Sequence, residues 1–428
     1  MRTFTLIWFG QLVSAIGSTM TFFALTLWAW DVTGSATALT LVGLFFQLPQ
    51  IPMTLFAGMI VDRFNRKTLM LLGDAVTAIA TLIIGVLYFS QQLQIWHLYL
   101  IAMLVAGFSQ IQILAYQSSV SLMVPKQQYT RASSMGAIVH YGSNIVGPAL
   151  AGVLYPVIEL SGIVAIDLVT FAIAFVTLLI APIPQPQVKA KSQLEQSEGW
   201  GRRLTFGFRY VWQQPSLRVL LLFTVLFTFA HDLGGSLQSP MVLARTDGNS
   251  LAIASVSAAA GVGGVAGAVL LSVWGGPKQR IYGLLGGYIG AGLSKMVFGL
   301  GRSTAIWIPA QLCSSLNFPL LGSCRSALWM DKISSDIQGR VFAAKSLVNQ
   351  GASAIAVLLA GPLADRVLEP AMAPGGVWVH GLSPILGSGP GAGMAILYTI
   401  CAVAMLLIGI AGFWVPQLRA IDRYPSTP

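Results

Sequence analysis

The sequence predicts an all-α integral membrane protein, with about twelve transmembrane helices arranged as two pseudo-symmetric six-helix halves. Three observations carry this. Apolar residues make up 55% of the 428 and charged residues only 9%, with a mean hydropathy of +0.75, so water is not the main solvent. Apolar runs recur at lengths at or above the roughly 20 residues that a helix needs to cross a ~30 Å hydrocarbon layer. The longest polar interruption falls near the middle of the chain.

The runs lie near residues 5–29, 36–60, 68–90, 97–122, 133–157, 161–183, 216–240, 251–274, 281–301, 304–329, 341–364 and 393–415. A backbone in lipid must satisfy its own hydrogen bonds, and the alternation of a membrane strand is absent, so each run is expected to be a helix. Met1-Arg2 leads straight into the first run without a small-residue cleavage site, so no cleavable leader is expected. Counted from an inner N terminus, the outer connections hold only Arg245, Arg302 and Arg366. The remaining basic residues outside the spans fall on the other side, which places both termini in the cytoplasm. The net charge of +10 is therefore topological and calls for no nucleic acid.

Residues 182–218 begin Pro-rich and continue with Phe206, Phe208, Tyr210, Val211 and Trp212 among Arg202, Arg203 and Arg209. This predicts three regions: a six-helix half at 1–183, a cytoplasmic linker with an amphipathic helix at 184–215, and a second half at 216–428. The halves echo each other. RASSMGAIVHYGSNIVGPALAGVL begins at Arg131 and RVFAAKSLVNQGASAIAVLLAGPL at Arg340, an offset of 340 − 131 = 209; LLGD at 71–74 meets LLGG at 284–287, an offset of 213. Repeats of this kind suit a secondary transporter in which two halves rock about a site. Residues 365–392, rich in Gly and Pro, are expected to form a long outer loop, with Asp365-Arg366 at its start.

Other chemistries find no motif. Cys313, Cys324 and Cys401 lie in apolar segments with no disulfide or metal spacing. There is no phosphate-binding Gly-rich loop, no G-x-S-x-G, and His97, His140, His231 and His380 are scattered without H-E-x-x-H. No enzyme, metal or cofactor is expected, and the chain should not drive transport with ATP by itself.

Between the second and third runs stands Gly58-Met-Ile-Val-Asp62-Arg63-Phe-Asn-Arg66-Lys67. It resembles the loop signature of the major facilitator superfamily, G-x-x-x-D-R-x-G-R-R/K, with Asn65 in place of Gly; Asn is the next most tolerant residue of a left-handed turn. The resemblance implies a conformational latch. Gly58 would allow close helix approach, Asp62 would face a positive helix N-terminus, and Arg63, Arg66 and Lys67 would engage acidic groups and phospholipid. On the fifth run, Ser143 to Gly152 resembles the Gly-Pro motif of the superfamily's exporters. Gly147 and Gly152 would serve close packing there, and Pro148 a kink. FGQLVSAIGSTMTFFAL, AIDLVTFAIAF, QGRVFAAKSLVNQ and AGPLADRVLEPAM resemble the macrolide and multidrug efflux branch, and the siderophore exporters related to it.

That architecture implies that helices one, four, seven and ten line a cavity while three, six, nine and twelve support it. Asp74, Asp167 and Lys295 then fall on supporting helices, where structural pairing or capping is expected. Asp232, beside His231 on the seventh helix, is the proton-coupling candidate; the alternative is a solvated pair at the outer water boundary. Gln11, Ser14, Ser18, Gln110, Gln112, Tyr116, Gln117 and Asn317 offer hydrogen bonds on the cavity-lining helices. Arg325 faces either the cavity or an acidic partner. Such a wall suits bulky apolar or weakly cationic molecules better than sugars or phosphates.

The function expected is proton-coupled export of amphipathic small molecules by a monomer in a prokaryotic inner membrane. The alternatives are a siderophore or other narrow-substrate exporter, an uncoupled facilitator, and a non-transporting membrane sensor on the same fold.

Overall fold

In the computed structural model, residues 2–125, 128–183, 200–333 and 337–421 are described, and every regular element among them is helical. In chain order these are α1 (Arg2–Thr33), α2 (Ala36–Gln47), α3 (Gln50–Arg63), α4 (Arg66–Phe89), α5 (Ile95–Met123) and α6 (Tyr129–Ile180). After the linker come α7 (Trp200–Gln213), α8 (Pro215–Gly235), α9 (Gln238–Arg245), α10 (Ser250–Trp274), α11 (Arg280–Leu300), α12 (Thr304–Lys332) and α13 (Gln338–Leu363). The chain ends with α14 (Glu369–Met372), α15 (Val379–Leu386), α16 (Ala392–Gly412) and α17 (Pro416–Arg419). Of the expected linker, residues 184–199 lie outside the described residues, as does Lys126.

Ten helices among the described residues are long and apolar enough to cross a membrane, against about twelve expected. The difference has two causes. Helix α6 holds both the 133–157 and 161–183 runs, joined at Glu159, whose φ of 54 takes it out of helical backbone. The 304–329 run forms the full-length helix α12, but Gln311, Ser314, Ser315, Asn317 and two prolines dilute its apolar character. The 36–60 run is two helices, because Pro49 offers no N–H to continue the ladder after α2.

The expected 365–392 loop is helical over much of its length. Helix α13 runs into a π turn at Ala364–Leu368 and then α14, while α15 occupies Val379–Leu386. Glu369 accepts from the backbone N–H of Gly391 at 3.3 Å and of Met394 at 2.9 Å, supplying the start of α16 with the acceptor its own sequence lacks.

The chain forms two compact units, Met1–Val188 with Val242–Gly261, and Lys189–Met241 with Val262–Pro428. Residues 242–261 group with the first unit, and the division falls within α10. In the first unit α1 packs along α6, and α4 lies against α5 and α6. Helix α4 shows the logic of a helix in lipid. Leu72, Ile79, Leu82, Ile83, Val86 and Phe89 are exposed along one stripe, whereas Gly73, Asp74, Ala80, Thr81 and Gly85 are buried. Small residues let helices approach and polar ones find partners inside. In the second unit α11 packs on α12 and α16, and α8 on α13 and α16. Leu220 and Phe227 of α8, Leu284 and Tyr288 of α11, Leu321 and Trp329 of α12 and Met405 of α16 share one apolar cluster. Helix α7 lies on α13, with Gly207 against the Arg340 backbone and the Arg340 guanidinium 5.3 Å from the Phe206 ring.

Candidate functional site

The loop at 58–67 is built by a helix start. Asn65 has φ −62 and ψ 121, not a left-handed conformation, and its Oδ1 accepts from the N–H groups of Lys67 (2.9 Å) and Thr68 (3.3 Å). Asn therefore serves here as the N-cap of α4, a role glycine could not fill with a side chain. Arg66 donates from Nη1 to the Ser118 carbonyl at 2.6 Å. Lys67 donates from Nζ to the carbonyls of Leu179 (2.7 Å) and Ala181 (2.9 Å), where α6 ends. The Lys67 contacts supply the last carbonyls of α6 with a cation, where the helix dipole favours positive charge, and the Arg66 contact ties the start of α4 to α5. Arg63 is exposed. The surroundings of Gly58 and the side chain of Asp62 lie outside the described residues.

The Gly-Pro stretch packs closely, as its small residues require. A Cβ on Gly147 would come within 2.7 Å of Thr19 and 3.2 Å of the Ile16 carbonyl of α1. One on Gly152 would collide with Ala254 of α10, and Ser250 donates to the Gly152 carbonyl at 3.0 Å. Pro148 sits within helical backbone; the non-helical position inside α6 is Glu159 rather than the proline.

Two aspartates are buried in the first unit, Asp74 at 3% and Asp167 at 1% exposure. Asp74 accepts from Gln112 Nε2 of α5 at 2.5 Å and from Gln11 Nε2 of α1 at 3.4 Å, one amide on each carboxylate oxygen. Asp167 lies among hydroxyls. Thr81 donates to it at 3.3 Å, Thr170 is at 3.5 Å, and Ser18 and Thr21 of α1 stand within reach. The other residues expected on the wall scatter. Ser14 is buried, Gln110 half-buried and Gln117 exposed, and Tyr116 packs against the apolar cluster around Phe4 and Val124 with its hydroxyl buried.

In the second unit His231 Nδ1 stands 2.8 Å from Asp232 Oδ1, and Ser353 of α13 donates to Asp232 Oδ2. The pair keeps 29% and 25% of its side-chain surface, so it is shielded without being sealed. Phe318 meets the His231 ring edge-on at 4.9 Å and Phe227 stacks beside it. Lys295 of α11, 5% exposed, donates to the Tyr398 hydroxyl at 3.2 Å and lies within electrostatic reach of Asp232. Asn317 donates to the Cys313 carbonyl of its own helix and rests against Gly290. Arg325 shares its surroundings with Lys345, itself 4.9 Å from the Trp329 ring.

Membrane-length helices in two units, with polar side chains turned inward and apolar ones outward, define a polytopic transporter-type fold. A match to the Major Facilitator Superfamily spans residues 7–357, and the chain belongs to that superfamily. Macrolide efflux protein A of Streptococcus pyogenes is 27% identical over 366 residues, covering 85% of this chain and 90% of that one. The multidrug efflux pump Tap of Mycolicibacterium fortuitum is 23% identical over 425 residues, covering 97% and 96%. Among solved structures, that of PepTSo, a transporter of the POT family, superposes with a TM-score of 0.71 at 12% identity, covering 100% of this chain and 99% of that one.

Proposed function

We propose that this chain exports amphipathic, drug-like molecules by alternating access, in exchange for protons. The observation that carries the reading is the pair of relatives named for macrolide and multidrug efflux, which align with 85% and 97% of this chain. The shielded Asp232–His231 pair supports the proton half. Here a carboxylate and an imidazole hold each other beside a hydroxyl donor, with a buried lysine in reach, so one added proton changes the charge that Lys295 and Ser353 meet. Partners in this reading are the small molecule, protons and the lipid bilayer, with the chain acting as a monomer in a bacterial inner membrane, both termini cytoplasmic. The halves 1–183 and 216–428 exchange access, and the 58–67 loop, with Gly58 and Asp62, latches one state.

The test is reconstitution of the full chain into liposomes, with ethidium and erythromycin as probes under an imposed pH gradient. Accumulation that collapses when the gradient is dissipated is expected. Equal movement with and without the gradient would contradict the coupling, and no movement of either probe would contradict the substrate class.

A further inference from the structure

We infer that Asp74 is a proton-responsive joint of the first unit, read out by the side-chain amides of Gln11 and Gln112. The inference deepens the proposed function and rests on its proton coupling. Helices α1, α4 and α5 meet at this carboxyl, which sits on α4 and takes one amide from each neighbour. The place is shaped for it. A Cβ on Gly73 would lie 2.6–2.9 Å from the Gln112 side chain, so the glycine preceding Asp74 opens the space through which Gln112 reaches it.

The chemistry follows from what each group can donate. An ionised carboxylate only accepts, and it is satisfied by two N–H donors; a carboxylic acid must donate from one oxygen. An amide cannot answer that change in place, because its oxygen and nitrogen are different atoms. The new O–H needs an acceptor, and a glutamine supplies one by turning its amide over. Asp167 makes the contrast, for its neighbours are hydroxyls, which switch between donating and accepting by rotating a hydrogen. A proton on Asp167 would pass without moving a heavy atom, while a proton on Asp74 would move a side chain of α1 or α5. Of the titratable groups on the helices packed around Asp74, Tyr116 stands one turn beyond Gln112 on α5 and Asp167 of α6 bonds Thr81 two turns along α4; Arg66 and Lys67 at the start of α4 bond backbone carbonyls, and Asp31, Tyr88, Tyr155 and Glu159 pair with one another elsewhere. From α1 the facing group is the uncharged Gln11. Neither Tyr116 nor Asp167 is a cation, so loss of the carboxylate's charge comes by taking up a proton.

The experiment uses the full chain in liposomes of phosphatidylethanolamine and phosphatidylglycerol. Infrared difference spectra between acid and alkaline buffer are recorded for the native protein, Asp74→Asn, Gln112→Met and Asp167→Asn, alongside ethidium exchange at both pH values. The native protein is expected to gain a carboxylic C=O band on acidification together with a change in the glutamine amide bands. Asp74→Asn should lose the amide change together with part of the carboxylic band, and its ethidium exchange should depend less on pH. Gln112→Met should shift the carboxylic band and shrink the amide change, and Asp167→Asn should keep the amide change. An amide change that survives in Asp74→Asn, or a carboxylic band unmoved in Gln112→Met, overturns the inference; the second arm decides if Asp74→Asn does not fold. If the native chain exchanges no ethidium, the export reading fails, while the spectra still decide the role of Asp74.

Discussion

Each unit holds an aspartate away from bulk water, and the two are held by opposite means. Asp232 in the second unit has an imidazole at 2.8 Å, a serine hydroxyl and a buried lysine in electrostatic reach. Asp74 in the first unit has two neutral amides. A carboxylate within reach of a buried lysine has its charge balanced by that neighbour, and a proton there changes the net charge of a cluster. A carboxylate among amides has no such balance, and a proton there changes hydrogen-bond direction. On the proposed coupling, the two sites would turn the same proton into different signals, one electrostatic and one conformational, with the difference lying in the neighbouring side chains.

The largest effect expected is on transport. Asp232→Asn removes the charge at the centre of the second site and should abolish gradient-driven ethidium accumulation in liposomes. Accumulation at the native level would remove Asp232 from the coupling and leave the comparison resting on Asp74 alone.

The buried lysine sharpens the contrast through stability. Tyr398→Phe takes away the hydroxyl that Lys295 bonds and leaves a buried cation short of an acceptor, costing roughly 1.5–3 kcal/mol. Lys295→Met removes the cation itself, so no buried charge is left short of an acceptor at Tyr398, and should cost less than Tyr398→Phe. Thermal unfolding in detergent compares the two; a larger loss for Lys295→Met would mean that the lysine stabilises the unit through Asp232.

In the first unit, Gly73→Leu fills the space used by Gln112 and should cost roughly 1–3 kcal/mol by overpacking. Unfolding measured beside Gly43→Leu, where an added Cβ meets nothing within 4 Å, isolates the steric part. The smallest effect belongs to Lys67→Ala. Loss of a cation from the last carbonyls of α6 should cost about 0.3–1 kcal/mol, seen as faster hydrogen exchange where that helix ends.

What could be read in advance follows from how far apart the interacting residues lie. Helix positions were legible because span length and hydropathy are local: the runs at 133–157 and 161–183 meet at the non-helical backbone of Glu159, while the run at 36–60 is interrupted at Pro49. The basic cluster after Asp62 was visible as a motif, but the acceptors it reaches on Ser118, Leu179 and Ala181 are backbone carbonyls, which leave no trace in residue type. Gln11 and Gln112 were picked out as polar residues in apolar helices. That they converge on Asp74 could not be seen, because the contacts span 63 and 38 residues and depend on helix rotation. Asn65 was noticed for the wrong property: its substitution for glycine suggested a left-handed turn, whereas N-capping preference was the signal available.

The most direct test of export in exchange for protons is a simultaneous record of ethidium and internal pH in liposomes made acidic inside and carrying the native chain. Ethidium should accumulate while the interior becomes alkaline in step with it, and both should stop together when the gradient is dissipated. Ethidium accumulation with no matching proton movement, or proton leakage that takes no account of ethidium, would contradict the account.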